Sequence, residues 1–138
     1  MRIIADTNVL ISSLFWNGVP CKIIESVIDG KLELVTSPSI LAEVRSVLRD
    51  EKEFGLSEQE VDDVLSVILS YATLTEPTIE VLHASRDPKD NHVLAAAQNA
   101  NVDRIVTRDK DLLTLKTYLR IRIQTPEAFY TELQQPQS

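Results

Sequence analysis

Apolar positions along the chain follow two periods that alternate. Short runs rich in β-branched residues predict strands over 2–5 (Ile3, Ile4), 32–36 (Leu34, Val35) and 104–107 (Ile105, Val106). Between them apolar residues recur every three or four positions. Ile23, Ile24, Val27 and Ile28 predict a helix over 22–28, which Pro20 can start and Gly30 can stop. Ser37-Pro38 reads as an N-cap and first helical residue, followed by the stripe Ile40, Leu41, Val44, Val47 and Leu48. Ser57 and Glu60 form a capping box ahead of Val61, Val64, Leu65, Ile68 and Leu69. Residues 72–75 suit a short strand, and Asp87-Pro88-Lys89-Asp90 opens a helix that turns Val93, Leu94 and Ala97 inward. A helical turn over 111–115 and a strand over 119–124 follow. Thr125-Pro126 then caps a last helix carrying Phe129, Tyr130 and Leu133. Strands alternating with helices predict an α/β sandwich with a mainly parallel sheet, formed as a single domain over 1–133 with a frayed polar tail over 134–138.

At 138 residues and 43% hydrophobic content the chain is sized for one core. Its single Cys excludes an internal disulfide and a Cys-based zinc site. No run approaches the ~18 apolar residues of a membrane span, and no signal-peptide core precedes the first strand. A cytoplasmic protein without membrane contact is therefore expected. The net charge of −7 is the wrong sign for holding nucleic acid by bulk electrostatics, which makes the position of the acids the question. The acidic block over 50–63 reads as a solvated loop and helix face.

Sheets of this class take ligands at the carboxyl ends of their strands. Asp6-Thr7-Asn8 follows the first strand, and Arg108-Asp109-Lys110-Asp111 follows the strand at 104–107. Glu43 lies off the apolar stripe of its helix, and Asp87 and Asp90 stand at a helix start. Taken singly, most of these acids suit N-caps or surface positions. Asp6 is harder to dismiss, because it ends a strand expected at the centre of the sheet. If four such carboxylates converge, each pair at ~4 Å repels by about 4 kcal/mol at an effective dielectric near 20. Bound cations would relieve that repulsion. An all-oxygen donor set selects Mg²⁺ or Mn²⁺, and His83 and His92 fall in no ligand pattern. Such ions activate water for attack on a phosphodiester. No P-loop, dinucleotide-binding glycine motif or serine nucleophile motif is present. Asn8 stands where a haloacid-dehalogenase-type phosphatase needs a second Asp.

Four segments in order carry a family resemblance: Ile3-Ile4-Ala5-Asp6-Thr7-Asn8, Ser37 to Glu43, Asp87 to Ala97, and Ile105-Val106-Thr107-Arg108-Asp109-Lys110-Asp111. They resemble the PIN domain, particularly the VapC-like toxin ribonucleases. The resemblance implies a three-layer α/β/α fold and an acidic quartet at Asp6, Glu43, Asp90 and Asp109. It adds Asp111 as a fifth metal-reaching acid, with Asn8 and Thr107 as polar supports. It further implies Mg²⁺- or Mn²⁺-dependent endonucleolytic cleavage of RNA, restraint by a small antitoxin protein, and a homodimer. Helices over 57–71 or 20–29 are the dimer surfaces to consider, against ordinary core packing.

Arg108 departs from the small residues common at its position, and with Lys110 it is read as substrate-binding. Lys22, Arg45, Arg49, Arg86 and Lys89 extend this to a basic rim around an acidic floor, against the alternative of scattered surface bases. Trp16, in Phe15-Trp16-Asn17-Gly18, either stacks a base or covers a core edge. A catalytically silent PIN-like module that binds RNA or protein is the alternative function. A phosphatase or a structure-specific DNase on a similar sheet is the third.

Overall fold

Ile3 and Ile4 point to opposite faces of their strand, and both are fully buried, so the strand is covered on both sides. A computed structural model describes residues 1–77 and 91–136. Along them run β1 (Arg2–Ala5), α1 (Thr7–Phe15), α2 (Val19–Ile28), β2 (Glu33–Thr36), α3 (Pro38–Asp50), α4 (Glu58–Tyr71) and β3 (Ala72–Leu74). They continue with α5 (Asn91–Ala100), β4 (Arg104–Val106), α6 (Lys110–Leu115), β5 (Thr117–Tyr118), β6 (Ile121–Gln124) and α7 (Pro126–Gln134). The sheet order is β3-β2-β1-β4-β6-β5, parallel except for the terminal β5–β6 pair. The expected α/β architecture with a mainly parallel sheet is what forms.

Strand order runs one way from β1 through β2 to β3, and the other way from β1 through β4 to β6. Right-handed crossovers therefore send the connections of the two halves over opposite faces of the sheet. The reversal at β1 leaves a crevice at the carboxyl ends of β1 and β4, where such sheets bind ligands. Register places Ile4 between Val35 and Ile105, all essentially inaccessible to solvent. Burying each of these side chains is worth roughly 1.5–3 kcal/mol.

One helix escaped the hydrophobic pattern. Residues of α1 are buried nearly all round (Thr7, Val9, Leu10, Ile11, Ser13), so no polar face marks a 3.6-residue period. One boundary also differs. The strand expected over 119–124 begins at Ile121, because Leu119 and Arg120 make a two-residue turn with φ of 49° and 72°. Asn and Gly normally occupy such turns, so Leu-Arg carries no sequence signal for this one. The pairing of β5 with β6 imposes it.

The acidic block over 50–63 is only partly the solvated face expected of it. Arg45 bridges to Glu58 (3.1 Å) and Asp62 (2.7 Å), and Arg49 bridges to Asp50 and Glu58. The pairs to Glu58 and Asp62 align α3 with α4, but exposed pairs add little, about 0–1 kcal/mol each. Packing of Val44, Leu48, Val61 and Ile68 in the common core holds the two helices.

Candidate active site

Asp6 ends β1 and caps α1. Its amide donates to the Val106 carbonyl at 3.2 Å, continuing the ladder with β4. Its Oδ1 accepts from the Val9 amide at 3.1 Å, and its Oδ2 accepts from the Thr107 hydroxyl. Thr107, fully buried just beyond β4, is fixed in turn by its amide bond to the Gln124 carbonyl at 2.9 Å. The same Thr107 oxygen accepts from the Asp109 amide at 2.9 Å. Asp109 Oδ1 then accepts from the Asp111 amide at 2.8 Å and caps α6. One hydroxyl thus ties together two carboxylate-bearing loops separated by a hundred residues of chain.

The electrostatics follow from this placement. Asp6 is 8% exposed, and burial pushes its carboxyl up to about 6. Hydrogen bonds from Thr107 and Val9 oppose the rise, while the charges of Asp109 and Glu43 add to it. Glu43, exposed on α3, is therefore within electrostatic reach of Asp6. His92, in the first turn of α5, brings Nε2 to 3.4 Å from Glu43 Oε2. Burial holds its pKa below the ordinary value although Glu43 pulls the other way, so the imidazole is neutral at pH 7. No spacing rule marks His92. Its only sequence signal is its position two residues after Asp90.

Asp6, Thr107 and Asp109 are accordingly joined at the carboxyl ends of β1 and β4, with Glu43 within electrostatic reach. Asp111 is half-buried at the start of α6, with its amide engaged by Asp109. Asn8 is exposed in the first turn of α1. Asp87 and Asp90 lie outside the described residues, as do His83, Arg86 and Lys89. Lys110 is exposed at the first position of α6. Arg108 forms an ion pair with Glu127 of α7 while its side chain stays 47% exposed. The broad basic rim does not form among the described residues. Arg45 and Arg49 serve the α3–α4 seam, and Lys22 lies over the Tyr130 ring at 5.9 Å from its centroid.

Among the described residues, no three His, Cys, Asp or Glu side chains make a ready-formed metal cluster. The chemistry of the donors nevertheless fits a hard divalent cation. Burial and two neighbouring acids penalise the Asp6 carboxylate, and a cation would offset that penalty. Thr107 is the brace of this arrangement. Thr107→Val is expected to weaken Mn²⁺ binding 10–100-fold, as loss of a ligand-orienting partner does, measured as Mn²⁺-dependent thermal stabilisation. Equal stabilisation of both proteins would exclude that role.

Comparison with known proteins gives a consistent family pattern. The PIN domain matches residues 2–111, a span that contains all the candidate site acids. The uncharacterized protein MJ1680 of Methanocaldococcus jannaschii is 30% identical over 145 aligned positions, covering 97% of this chain and 92% of that protein. Among solved structures, VapBC2 from Rickettsia felis, bound to a DNA fragment from their promoter, aligns with a TM-score of 0.65 at 12% identity, over 91% of this chain and 98% of that one. PAE2754 from Pyrobaculum aerophilum aligns at 0.63 with 16% identity, over 98% and 91%. FitAcB from Neisseria gonorrhoeae aligns at 0.54 with 17% identity, over 91% and 98%. At these identities the structural likeness is one of fold.

Proposed function

From the premise that this chain belongs to the PIN-domain family, we propose that it is a Mg²⁺- or Mn²⁺-dependent endoribonuclease, the toxin component of a toxin–antitoxin pair. The observation that carries the reading is the Thr107 hydroxyl bridging Asp6 and the loop of Asp109 at the reversal of strand order. Likeness in fold to VapBC2 and FitAcB supports the VapC-like form of the proposal and an antitoxin partner.

Asp6, Glu43 and Asp109 would hold the cation, with Asp90 and Asp111 as further ligands. When bound, a divalent ion lowers the pKa of coordinated water, orients it for in-line attack and stabilises the leaving oxygen. The remaining work belongs to the chain. Asp6 is locked by its two hydrogen bonds, so its carboxylate has one orientation. Asp109 commits one oxygen to α6 and keeps the other available. Glu43 projects from α3 with the neutral His92 beside it, and would take a proton from water. Arg108 and Lys110 flank Asp109 and offer positive charge to the RNA phosphates.

The direct test is cleavage of a mixed RNA pool with Mg²⁺ or Mn²⁺, with DNA and a small phosphomonoester offered in parallel. Wild-type protein is expected to cut RNA only with the cation, and Asp109→Asn to cut at least ~100-fold more slowly. Equal rates for the two proteins would mean that the chain is a silent binding module. Preference for DNA or the monoester would reassign the substrate.

A further inference from the structure

The chain carries seven aromatic residues, and only Phe129 among them is fully buried. Three of the other six gather at the surface, at the C-terminal end of α1. The Phe15 and Phe54 ring centroids are 5.2 Å apart, those of Trp16 and Phe54 5.7 Å, and those of Phe15 and Trp16 6.4 Å. Trp16 nevertheless remains 51% exposed. The cluster fixes the indole and leaves half of it bare, which covering a core edge does not require.

Two clefts meet at this indole, and they differ in charge. One, of about 330 Å³, lies between α1 and the start of α2 and is lined by Ser12, Trp16, Pro20 and Arg108. The other, of about 410 Å³, is lined by Asn8, Trp16, Glu51, Glu53 and Phe54. A phosphate is repelled from the second by its two glutamates and attracted to the first by Arg108. Arg108 spends one nitrogen on Glu127 and has further donors to offer. The first cleft shares Arg108 with the loop that carries Asp109.

We propose that Trp16 and Arg108 form a nucleotide subsite, in which an unstacked RNA base lies on the Trp16 indole and the adjoining phosphate meets Arg108. This rests on the ribonuclease reading and specifies it: the substrate is single-stranded at a point removed from the cut. The nine residues of α1 separate Asp6 from Trp16, a span of about 15 Å of helix rise. That distance is about four nucleotides of a stacked strand. An oligonucleotide of six or more residues reaches both sites, and a dinucleotide does not.

Trp16 is the sole tryptophan, so its fluorescence reports on the subsite directly. Glu43→Gln protein, which binds without cutting, is titrated with a short single-stranded RNA oligonucleotide in Mg²⁺, with binding followed independently by gel retardation. The expected result is saturable quenching that tracks retardation. In the cutting protein, Trp16→Ala is expected to raise KM for the oligonucleotide about tenfold with little change in kcat, and Trp16→Phe to restore most of the loss. Dinucleotide cleavage should be unchanged by either. Retardation without quenching, or an unaltered KM in Trp16→Ala, overturns the subsite while leaving the ribonuclease reading intact. Quenching by a basic polypeptide but not by RNA assigns the surface to a protein partner and also overturns it. If no RNA is cut but quenching and its loss in Trp16→Ala hold, the subsite stands and the catalytic reading falls.

Discussion

Asp6→Asn is expected to be more stable than the wild type at pH 8 in the absence of divalent ions, and inactive. Asn caps a helix as well as Asp does, so α1 keeps its start. The charge that the fold penalises is gone. The Asp6 carboxyl sits at about 6 in the folded protein against an ordinary 3.8. Its contribution to stability is therefore full below pH ~4 and is lost as pH rises through 6. Two pH units correspond to about 3 kcal/mol. The Asn side chain has one acceptor oxygen for two donors, Val9 and Thr107, which reduces the net gain to the order of 2 kcal/mol. Urea unfolding in EDTA between pH 3.5 and 8 should show the stability advantage of Asp6→Asn over the wild type growing as pH rises through 6. With Mn²⁺ the order reverses, because the cation stabilises only the protein that binds it. A variant with the same pH dependence as the wild type would mean that Asp6 carries no such penalty, and the metal-site reading would lose its electrostatic support.

Phe129→Ala is expected to cost 3–5 kcal/mol and to lower the melting temperature by about 10–20 °C. Phe129 is fully buried in α7, beyond the segment matched by the family. Its loss opens a cavity beside β6, and β6 pairs with β4 and holds the Thr107 amide through Gln124. The change should therefore loosen the candidate site as well as the core. A chain ending at residue 111 would lack β5, β6 and α7 and is expected not to unfold cooperatively. Thermal scans of both proteins check this, and a shift under about 4 °C for Phe129→Ala would rule it out.

Which parts of this molecule could be read in its sequence depends on which residues speak locally. Ile3-Ile4, Leu34-Val35 and Ile105-Val106 announce covered parallel strands because nothing polar interrupts them. Ser37-Pro38, Ser57 with Glu60 and Thr125-Pro126 announce helix starts through their side-chain chemistry, and all three side chains accept the expected amide. The helix over 7–15 is silent, since burial on nearly every side erases its period. The Leu119-Arg120 turn is silent too, because its geometry is imposed by strand pairing. Asp6, Glu43 and Asp109 were legible as acids after strands or on a polar helix face. That Asp6 and Asp109 share a hydroxyl, and that His92 lies beside Glu43, depends on tertiary arrangement, which no local pattern encodes.

Helix α1 is clamped at its first turn by the aspartate it depends on, and it ends beside the bare indole. A helix of this length is stiff, so the interval between scission and base contact is a property of turn count. Selection of a cutting position would then work as a gauge does: the held base fixes where the blade falls, whatever sequence lies between.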